Sequence, residues 1–395
     1  MVEGVAKLAI DLGNSSTRVL TKFDVKGKGN PKAKITELSN RFYEISDDVV
    51  QQYVANPSYT EENSHIFRHH GVNICNGDLC IKEFGSQSRR PFAGQKKWKD
   101  YPTPMSIKNA FLSGYEAIAE FANVDLDSVK VSWDVVLLLP PEDVEMGSKP
   151  LAELVRGLEE IDFIMPELKR DLVINSVTVY PEGLAAFIAL AYEKVGTLRP
   201  SHKYLVDDSS YTLIVDIGAG TTDFFLINGS TPILSTRFTK AIGGNNVHSI
   251  VRRLLKQRGI NVSDIDVRKG VETGFVKFGA KTVNILSEIE QAKMEVSKQL
   301  IDAWQEFFEC TMIEITKINN IAFCGGGSEE SEVAGIEPIS NYILNLIKEV
   351  SPEVSLVAMP VTKASYIKEF LGSEDDSVTI SHRLLNIVGA GILAG

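Results

Sequence analysis

The sequence has little of what marks a secreted, membrane-spanning or metal-stabilised protein. Its 395 residues include 4 cysteines, and these lack the spacing of a metal site. No apolar run approaches the roughly 20 residues that cross a bilayer. The first residues, MVEGVAKLAIDLG, do not fit a signal peptide, because their apolar stretch runs directly into an acid. We therefore expect a cytoplasmic protein with reduced thiols and no membrane partner.

Positive charge is also in short supply. The chain has 41 Lys and Arg against 52 Asp and Glu, which gives a net charge of −11. Duplex binding depends on neutralising phosphates with Lys and Arg, so we expect no direct nucleic-acid binding; a role on DNA would need a basic adaptor or a local patch. What remains is a globular composition, with 44% apolar residues, and a length that fits two domains.

Two polar clusters carry no clear chemistry. His65, His69 and His70 have nearly the spacing of a metal site on a helix, but their surroundings favour a loop or strand and no partner acids are evident. We therefore expect a surface cluster. The basic run KKWK at 96–99 could contact phosphate or an acidic partner, although most such runs are solvated.

Two further segments are interpreted as turns. Cys75 and Cys80 flank Asn-Gly-Asp, which is typical of a hairpin turn, so we expect them to be paired strand residues. Gly274–Thr282 (GFVKFGAKT) is close to a P-loop. However, Ala280 stands between the second glycine and the lysine, and the preceding residues are polar, which a P-loop does not allow.

One strand–turn–strand pattern occurs twice, about half a chain apart. LAIDLGNSSTRVL begins at Leu8 and LIVDIGAGTTDFFLING begins at Leu213. Each half then mixes helices with further strands, which predicts two α/β domains of similar topology around a central cleft. The predicted domains are 1–182, with a variable subdomain at about 30–105, then 183–375, and a C-terminal segment 376–395 that returns to the first domain.

The remaining elements follow from periodicity and apolar runs. Helices are predicted at 106–123, 182–195, 245–259 and 284–311, strands at 131–139, 172–180 and 318–324, a polar loop at 199–210, and a final small-residue element at 382–395.

The two repeated turns predict a site for a polyphosphate. Glycine turns between strands direct several backbone N–H groups at one point, and such a concavity binds anions. Serine and threonine hydroxyls in both turns add donors. A carboxylate beside a polyphosphate requires a divalent cation, and Mg²⁺ keeps much of its water shell, so Asp11 and Asp216 are expected to hold that shell. One turn alone also fits a tight hairpin with a capping Asp, but its repetition argues against that interpretation.

Four motifs together resemble the actin, heat-shock-chaperone and sugar-kinase ATPase superfamily. They are a first phosphate motif at Asp11–Thr17, a connecting segment at Val179–Ala186, a second phosphate motif at Asp216–Asp223 and an adenosine motif at Cys324–Ser328. The resemblance implies an α/β fold of two similar actin-like (ribonuclease H-like) domains with mixed five-stranded sheets around a central nucleotide cleft. The layout is most similar to bacterial actins of the plasmid-segregation ParM type.

The resemblance also implies site residues for a hydrolase that uses ATP, or GTP, with Mg²⁺. In the family, the Glu after Pro in the connecting segment orients the attacking water, and Glu182 matches it; Asp11 and Asp216 complete the implied catalytic set. The implied nucleotide-binding residues are Gly13, Asn14, Ser15, Ser16, Thr17, Arg18, Gly218, Gly220, Thr221, Thr222, Gly244, Glu290, Lys293, Ser297, Gly325, Gly326, Gly327 and Ser328. Two departures are Arg18, where many relatives have Lys, and Asn386, where relatives often have an acid.

Helix 287–310 supports nucleotide binding separately. Glu290, Lys293 and Ser297 share one face, opposite an apolar stripe. Heat-shock ATPases use the same spacing to hold the adenosine ribose and base. The alternative is a solvated charged face.

These observations predict a polymerising ATPase. Head-to-tail self-association would give filaments that assemble with Mg-ATP and decay after hydrolysis, and a basic adaptor on a centromere-like plasmid site would attach them to DNA. The alternatives are a small-metabolite kinase or phosphatase of the same superfamily and a nucleotide-binding scaffold without turnover. A kinase needs a general-base Asp for its substrate hydroxyl, and no further acid stands in a sugar-kinase-like context.

Overall fold

The chain forms two compact units. The structure, a computed structural model, describes residues 1–13, 16–25, 31–56, 64–88, 96–328, 336–350, 357–358 and 384–395. Among these, residues 1–199 and 386–395 make up the first unit, and 200–358 with 384–385 make up the second. The division therefore falls after Arg199 and not after Glu182, because the helix that begins at Glu182 packs within the first unit.

The first unit contains these elements in chain order. Its strands are β1 (Val2–Leu12), β2 (Ser16–Phe23), β3 (Lys32–Ser39), β4 (Phe42–Ile45), β5 (His65–His69), β6 (Val72–Asn76), β7 (Val129–Leu139), β8 (Glu160–Met165), β9 (Leu168–Asp171), β10 (Val173–Pro181), β11 (Tyr192–Lys194) and β12 (Thr197–Leu198). Its helices are α1 (Asp47–Val54), α2 (Asp78–Phe84), α3 (Thr103–Ala122), α4 (Val144–Arg156) and α5 (Glu182–Ala191).

The central sheet of the first unit has the strand order β3–β2–β1–β7–β10. β1 pairs antiparallel with β2 and parallel with β7, and β7 pairs parallel with β10. β1 and β7 read as continuous apolar runs because both faces are covered: Leu8, Ile10 and the run Leu137–Leu139 are fully buried. Trp133 of β7 makes edge-to-face contacts with the rings of Phe111 and Tyr115 on α3.

A second sheet, β4–β6–β5–β8–β9, combines three strands of the predicted variable subdomain with β8 and β9 from outside it, and it corrects two expectations. Cys75 lies in β6 and Cys80 lies on α2, so the pair does not flank a hairpin. Instead, the chain turns from the strand into the helix at Gly77, which has a φ of 85°. His65 and His69 lie on β5 with their side chains buried, and of the three histidines only His70 is exposed. Alternation along the strand, and not surface exposure, explains the histidine spacing.

The second unit contains the following elements. Its strands are β13 (Tyr211–Ile217), β14 (Thr222–Asn228), β15 (Thr231–Pro232), β16 (Phe238–Lys240), β17 (Phe275–Phe278), β18 (Lys281–Asn284), β19 (Asn320–Cys324) and β20 (Val357–Ala358). Its helices are α6 (Gly244–Gln257), α7 (Asp264–Thr273), α8 (Leu286–Thr311) and α9 (Ile339–Val350), and a 3₁₀ helix, Pro200–Val206, precedes β13.

The second unit repeats the sheet of the first. β13 pairs antiparallel with β14 and parallel with β19, and β19 pairs parallel with β20. β15 and β16 pair with opposite ends of β14. β15 and β16 therefore occupy the same place in the strand order, beside β14. Counted in this way, this sheet and the central sheet of the first unit each have five strand positions, with the same order of antiparallel and parallel pairs. The predicted α/β fold with mixed five-stranded sheets is confirmed.

Aromatic packing fixes α8 on this sheet. Phe307 of α8 stacks on Phe224 of β14, with the ring centroids 5.6 Å apart, and Trp304 is almost fully buried.

The segment that resembles a P-loop forms the hairpin β17–β18, with Gly279 at φ 60° in its turn. The prediction of a turn there is confirmed.

A last helix, α10 (Leu385–Leu393), packs into the first unit. Gly389 lies so close to α5 that an added Cβ would be 1.7 Å from the carbonyl oxygen of Ala185. Only glycine permits this approach.

Among the described residues, no helix is both long and apolar enough to cross a bilayer.

Candidate functional site

The first phosphate motif forms the turn between β1 and β2. Asp11 is buried, and its cross-strand partner Arg18 donates from Nη1 to its Oδ2 at 3.1 Å. A Cβ added to Gly13 would lie 2.6 Å from the carbonyl oxygen of Ser16, so the turn requires glycine there. Asn14 and Ser15 lie outside the described residues.

The hydroxyls of this turn are engaged within the unit. Thr17 is fully buried and donates to Oδ1 of Asn40 at 2.8 Å, and Ser16 donates to Oε1 of Glu37 at 2.5 Å. Asn40 in turn donates from Nδ2 to the carbonyl oxygen of Gly13. Asn40 thus holds both sides of the turn from the residue after β3. The sequence did not predict this role, because no motif marks a single Asn.

The second phosphate motif forms the equivalent turn between β13 and β14. Asp216 is buried, and the N–H of Gly218 donates to the carbonyl oxygen of Thr221 at 2.8 Å. Thr222, also fully buried, donates to the carbonyl oxygen of Ile242 at 2.8 Å. The N–H of Gly244 donates to the carbonyl oxygen of Gly218 at 2.9 Å, so the first turn of α6 packs directly on this loop.

The two turns differ in charge at one equivalent position. Asp11 faces Arg18 across its hairpin, whereas Asp216 faces Asp223. Thr221 and Thr239 donate hydroxyl hydrogen bonds to Asp223, at 3.4 and 2.5 Å. The second turn therefore presents two buried carboxylates side by side, while the carboxylate of the first turn is paired with a guanidinium.

The predicted adenosine motif lies against the second turn. β19 runs parallel to β13 with Cys324 opposite Asp216, and Gly325 follows at φ 79°. A Cβ on Gly325 would lie 2.3 Å from Oδ1 of Asp216, and one on Gly327 would lie 2.2 Å from Cγ2 of Ile217. Two chemically different turns are thus brought into contact only because glycine has no side chain.

Three other predicted positions show different environments. Gly220 is buried in the second turn, Gly326 begins a 3₁₀ helix, and the hydroxyl of Ser328 donates to the carbonyl oxygen of Cys324 at 2.8 Å. Asn386 is buried at the start of α10.

Glu182 lies at the same end of the central sheet as the first turn, where β1 and β10 both finish. It is the first residue of α5, directly after Pro181 ends β10, and it is only 7% exposed. The registers place both Asp11 and Tyr180 opposite Leu138 of β7. Asp11 and Tyr180 are therefore two strand spacings, about 10 Å, apart. Nζ of Lys97 donates to Oε1 of Glu182 at 2.6 Å.

The polar face of α8 is only partly solvated. Glu290 is exposed, but Lys293 and Ser297 are buried. Lys293 donates from Nζ to the carbonyl oxygen of Glu337 at 2.9 Å, and burial lowers the pKa of its ammonium group to about 8. Ser297 donates to the carbonyl oxygen of Lys293. The interpretation as a solvated charged face is wrong for Lys293 and Ser297 and holds for Glu290, and contact with a nucleoside stays a prediction.

In the part of the chain that the structure describes, metal ligands are not clustered in the way a protein-only cage requires. Within the described ranges, no group of three or more His, Cys, Asp and Glu side chains is arranged to hold a metal ion. Mg²⁺ does not need such a cage, because it retains waters and takes phosphate oxygens as ligands. The paired carboxylates at the second turn are the residues whose chemistry fits such an ion best.

Comparisons with known proteins agree with this architecture. Residues 214–333 match the family model of the archaeal actin homologue MreB-like C-terminal region, and no curated protein sequence matches the chain significantly. Three similar solved structures are the archaeal actin homologue Ta0583 (17% identity, TM-score 0.62, covering 99% of this chain and 98% of that one), the actin-like protein Alp7A (14%, 0.70, 100% and 96%) and a 15-stranded ParM filament from Clostridium botulinum (14%, 0.61, 93% and 98%). The chain therefore has the two-domain actin-like α/β fold.

Proposed function

We propose that this protein is an ATPase, or GTPase, that assembles into filaments and disassembles after hydrolysis. The observation that carries the proposal is the pair of equivalent turns, one in each unit. Each turn begins with a buried aspartate and has a glycine two residues later that packs on the carbonyl oxygen three residues beyond. Repeated anion-binding turns beside carboxylates suit a Mg-nucleotide. The likeness to Ta0583, which was also solved with ADP, adds support.

The carboxylates of the two turns would have unequal roles toward Mg²⁺. Asp216 and Asp223 would hold the ion's water shell, since they are two buried acids that face each other at the second turn, whereas the first turn places Arg18 opposite Asp11. Asp11 would contribute less, because Arg18 already neutralises it. The bound ion would neutralise charge on the phosphates. Arg18 itself offers further donors near the first turn.

Glu182 would orient the attacking water. A carboxylate that accepts a hydrogen bond from water directs the oxygen lone pair toward the terminal phosphate. Glu182 follows the C-terminal end of β10, and Asp11 lies at the C-terminal end of β1 in the same sheet, which supports a position close to a bound phosphate. Its low exposure limits the number of competing waters around it.

We also propose that filaments of this protein move plasmid DNA. Structures of similar fold include a ParM filament and a MamK double helical filament, which supports self-association. Head-to-tail contacts between unlike surfaces do not close and give open polymers. The net charge of −11 favours attachment through a basic DNA-bound adaptor over direct binding.

Light scattering and phosphate release, recorded together after adding Mg-ATP or Mg-GTP, test the proposal. We expect scattering to rise at micromolar protein, and phosphate release to follow. Glu182→Gln should bind nucleotide and polymerise but release phosphate at least tenfold more slowly, because it loses water positioning and keeps the phosphate contacts. Monomers at all concentrations, with turnover that rises when a small hydroxylated metabolite is added, would refute the filament function and favour the kinase.

A further inference from the structure

The basic run at 96–99 is anchored to the first unit at several points. It forms a short 3₁₀ helix, Lys97–Lys99, just before α3. Lys96 donates to Oδ1 of Asp143 at 2.5 Å, and Thr103 donates from Oγ1 to the carbonyl oxygen of Lys97 at 2.5 Å. The ring of Trp98 lies on Gly147 of α4, where an added Cβ would be 2.3 Å from Cε3. The expectation of a solvated run therefore holds for the exposed Lys96 and Lys99 but is wrong for Lys97 and Trp98, which are partly buried.

The two lysine ion pairs of this segment are unlike in burial. The side chain of Lys97 is 16% exposed and that of its partner Glu182 is 9% exposed, whereas Lys96 is 51% exposed. An exposed ion pair is screened by water and constrains little. A buried pair at 2.6 Å is held in one geometry, because breaking it leaves an uncompensated charge.

We propose that Lys97 is a positioning residue for the hydrolysis reaction and acts through Glu182. Its ammonium holds Oε1 of the carboxylate, which fixes the side-chain torsion angles and hence the direction in which the carboxylate accepts a hydrogen bond from water. The contacts with Gly147 and Thr103 fix the backbone from which Lys97 extends. The inference rests on the proposed function, because it requires Glu182 to orient the attacking water.

The position of Lys97 explains why a segment distant in sequence is needed at all. Glu182 begins a helix, where the backbone is fixed but the side chain retains three torsion angles. A carboxylate free to rotate would present its lone pairs correctly for only part of the time, and small errors in placement are costly to catalysis. A second charged group, delivered by a separately anchored segment, removes that freedom.

The test compares Lys97→Met, Lys97→Arg and the matched control Lys96→Met, in the full chain with saturating Mg-ATP. Lys97→Met should lower the rate of phosphate release at least tenfold, with nucleotide Kd changed by less than about threefold. Lys97→Arg should recover most of that loss, since the cation is restored. Lys96→Met should leave both constants within about twofold of wild type, because its ion pair is exposed.

A double-mutant cycle then shows whether Lys97 acts through Glu182. In a Glu182→Gln background, adding Lys97→Met should change the rate by less than about twofold. A full further loss in that background, equal losses of binding and turnover, or a rate equal to or above wild type would each overturn the inference. Lys97→Gln is measured in parallel and judged by the same criteria if Lys97→Met does not fold.

Failure of the underlying function gives a different result. If the wild-type protein hydrolyses no nucleotide, or if Glu182→Gln alone does not slow hydrolysis, the proposed role of Glu182 is refuted together with that of Lys97. If Glu182→Gln slows hydrolysis and Lys97→Met behaves like Lys96→Met, only the role of Lys97 is refuted.

Discussion

Replacing Gly325 with alanine should lower the stability of the second unit, because the end of β19 and the second turn approach each other closely at this residue. The residue is at φ 79°, and an added Cβ would lie 2.3 Å from Oδ1 of Asp216 and 2.5 Å from the carbonyl oxygen of Ile217. Two costs follow, the strain of a left-handed backbone and the clash. Gly279 provides the control, because its φ is 60° and no atom lies within 4 Å of an added Cβ.

The expected magnitudes differ accordingly. Gly279→Ala should cost about 1 kcal/mol, since it carries only the left-handed backbone penalty. Gly325→Ala should cost about 3 kcal/mol, because overpacking adds roughly 1–3 kcal/mol to the same penalty. At about 2–4 °C per kcal/mol for a unit of this size, the midpoint of thermal unfolding should fall by about 2–4 °C in the control and about 6–12 °C in Gly325→Ala.

Circular dichroism on heating measures both variants, and nucleotide affinity supplies a second readout. Gly325→Ala should also weaken Mg-nucleotide binding, because relief of the clash moves Asp216 or the strand end that carries it. Gly279→Ala should not. Equal falls in melting temperature for the two variants would show that the close approach of the two turns contributes nothing, and would refute the reasoning.

Two further predictions concern charge. Burial lowers the pKa of Lys293 to about 8, so between pH 8 and 10.5 the unfolded chain binds more protons at this site than the folded protein, and stability should rise with pH. The melting temperature of wild type relative to that of Lys293→Met should therefore increase from pH 8 to 10. Parallel curves for the two proteins would contradict this. Asp216→Asn should raise the Mg²⁺ concentration for half-maximal hydrolysis about tenfold or more, and Asp11→Asn should raise it less, because Arg18 neutralises Asp11; the reverse order in a Mg²⁺ titration would refute the assignment.

The elements that sequence predicted well are those with strong local patterns. The repeated strand–turn–strand pattern became β1–β2 and β13–β14, and the apolar run at 131–139 became β7. The helix predicted at 182–195 ends at Ala191, where the chain enters the short strand β11. Local apolar periodicity carries no signal for such a change, because the pairing with β12 depends on residues further along the chain.

The candidate site was predictable in its glycines and acids but not in its hydroxyls. Gly13 and Gly325 are dictated by backbone approaches that exclude a side chain, and a motif records such a requirement directly. The partners of Thr17 and Thr222 lie on other elements, at Asn40 and Ile242. Hydrogen bonds of that kind are set by tertiary structure, so the same hydroxyl can serve a ligand or its own fold without any change in the local sequence.

The contact between Gly389 and α5 has a consequence for synthesis. The helix α10 contributes Ile387 and Ala390 to the interior of the first unit, although residues 200–358 of the second unit precede it in the chain. On the ribosome, residues 1–199 therefore emerge long before the helix that completes their packing. The first unit therefore acquires this part of its apolar interior only after residues 200–358 have been synthesised, although domains generally fold in order from the N-terminus.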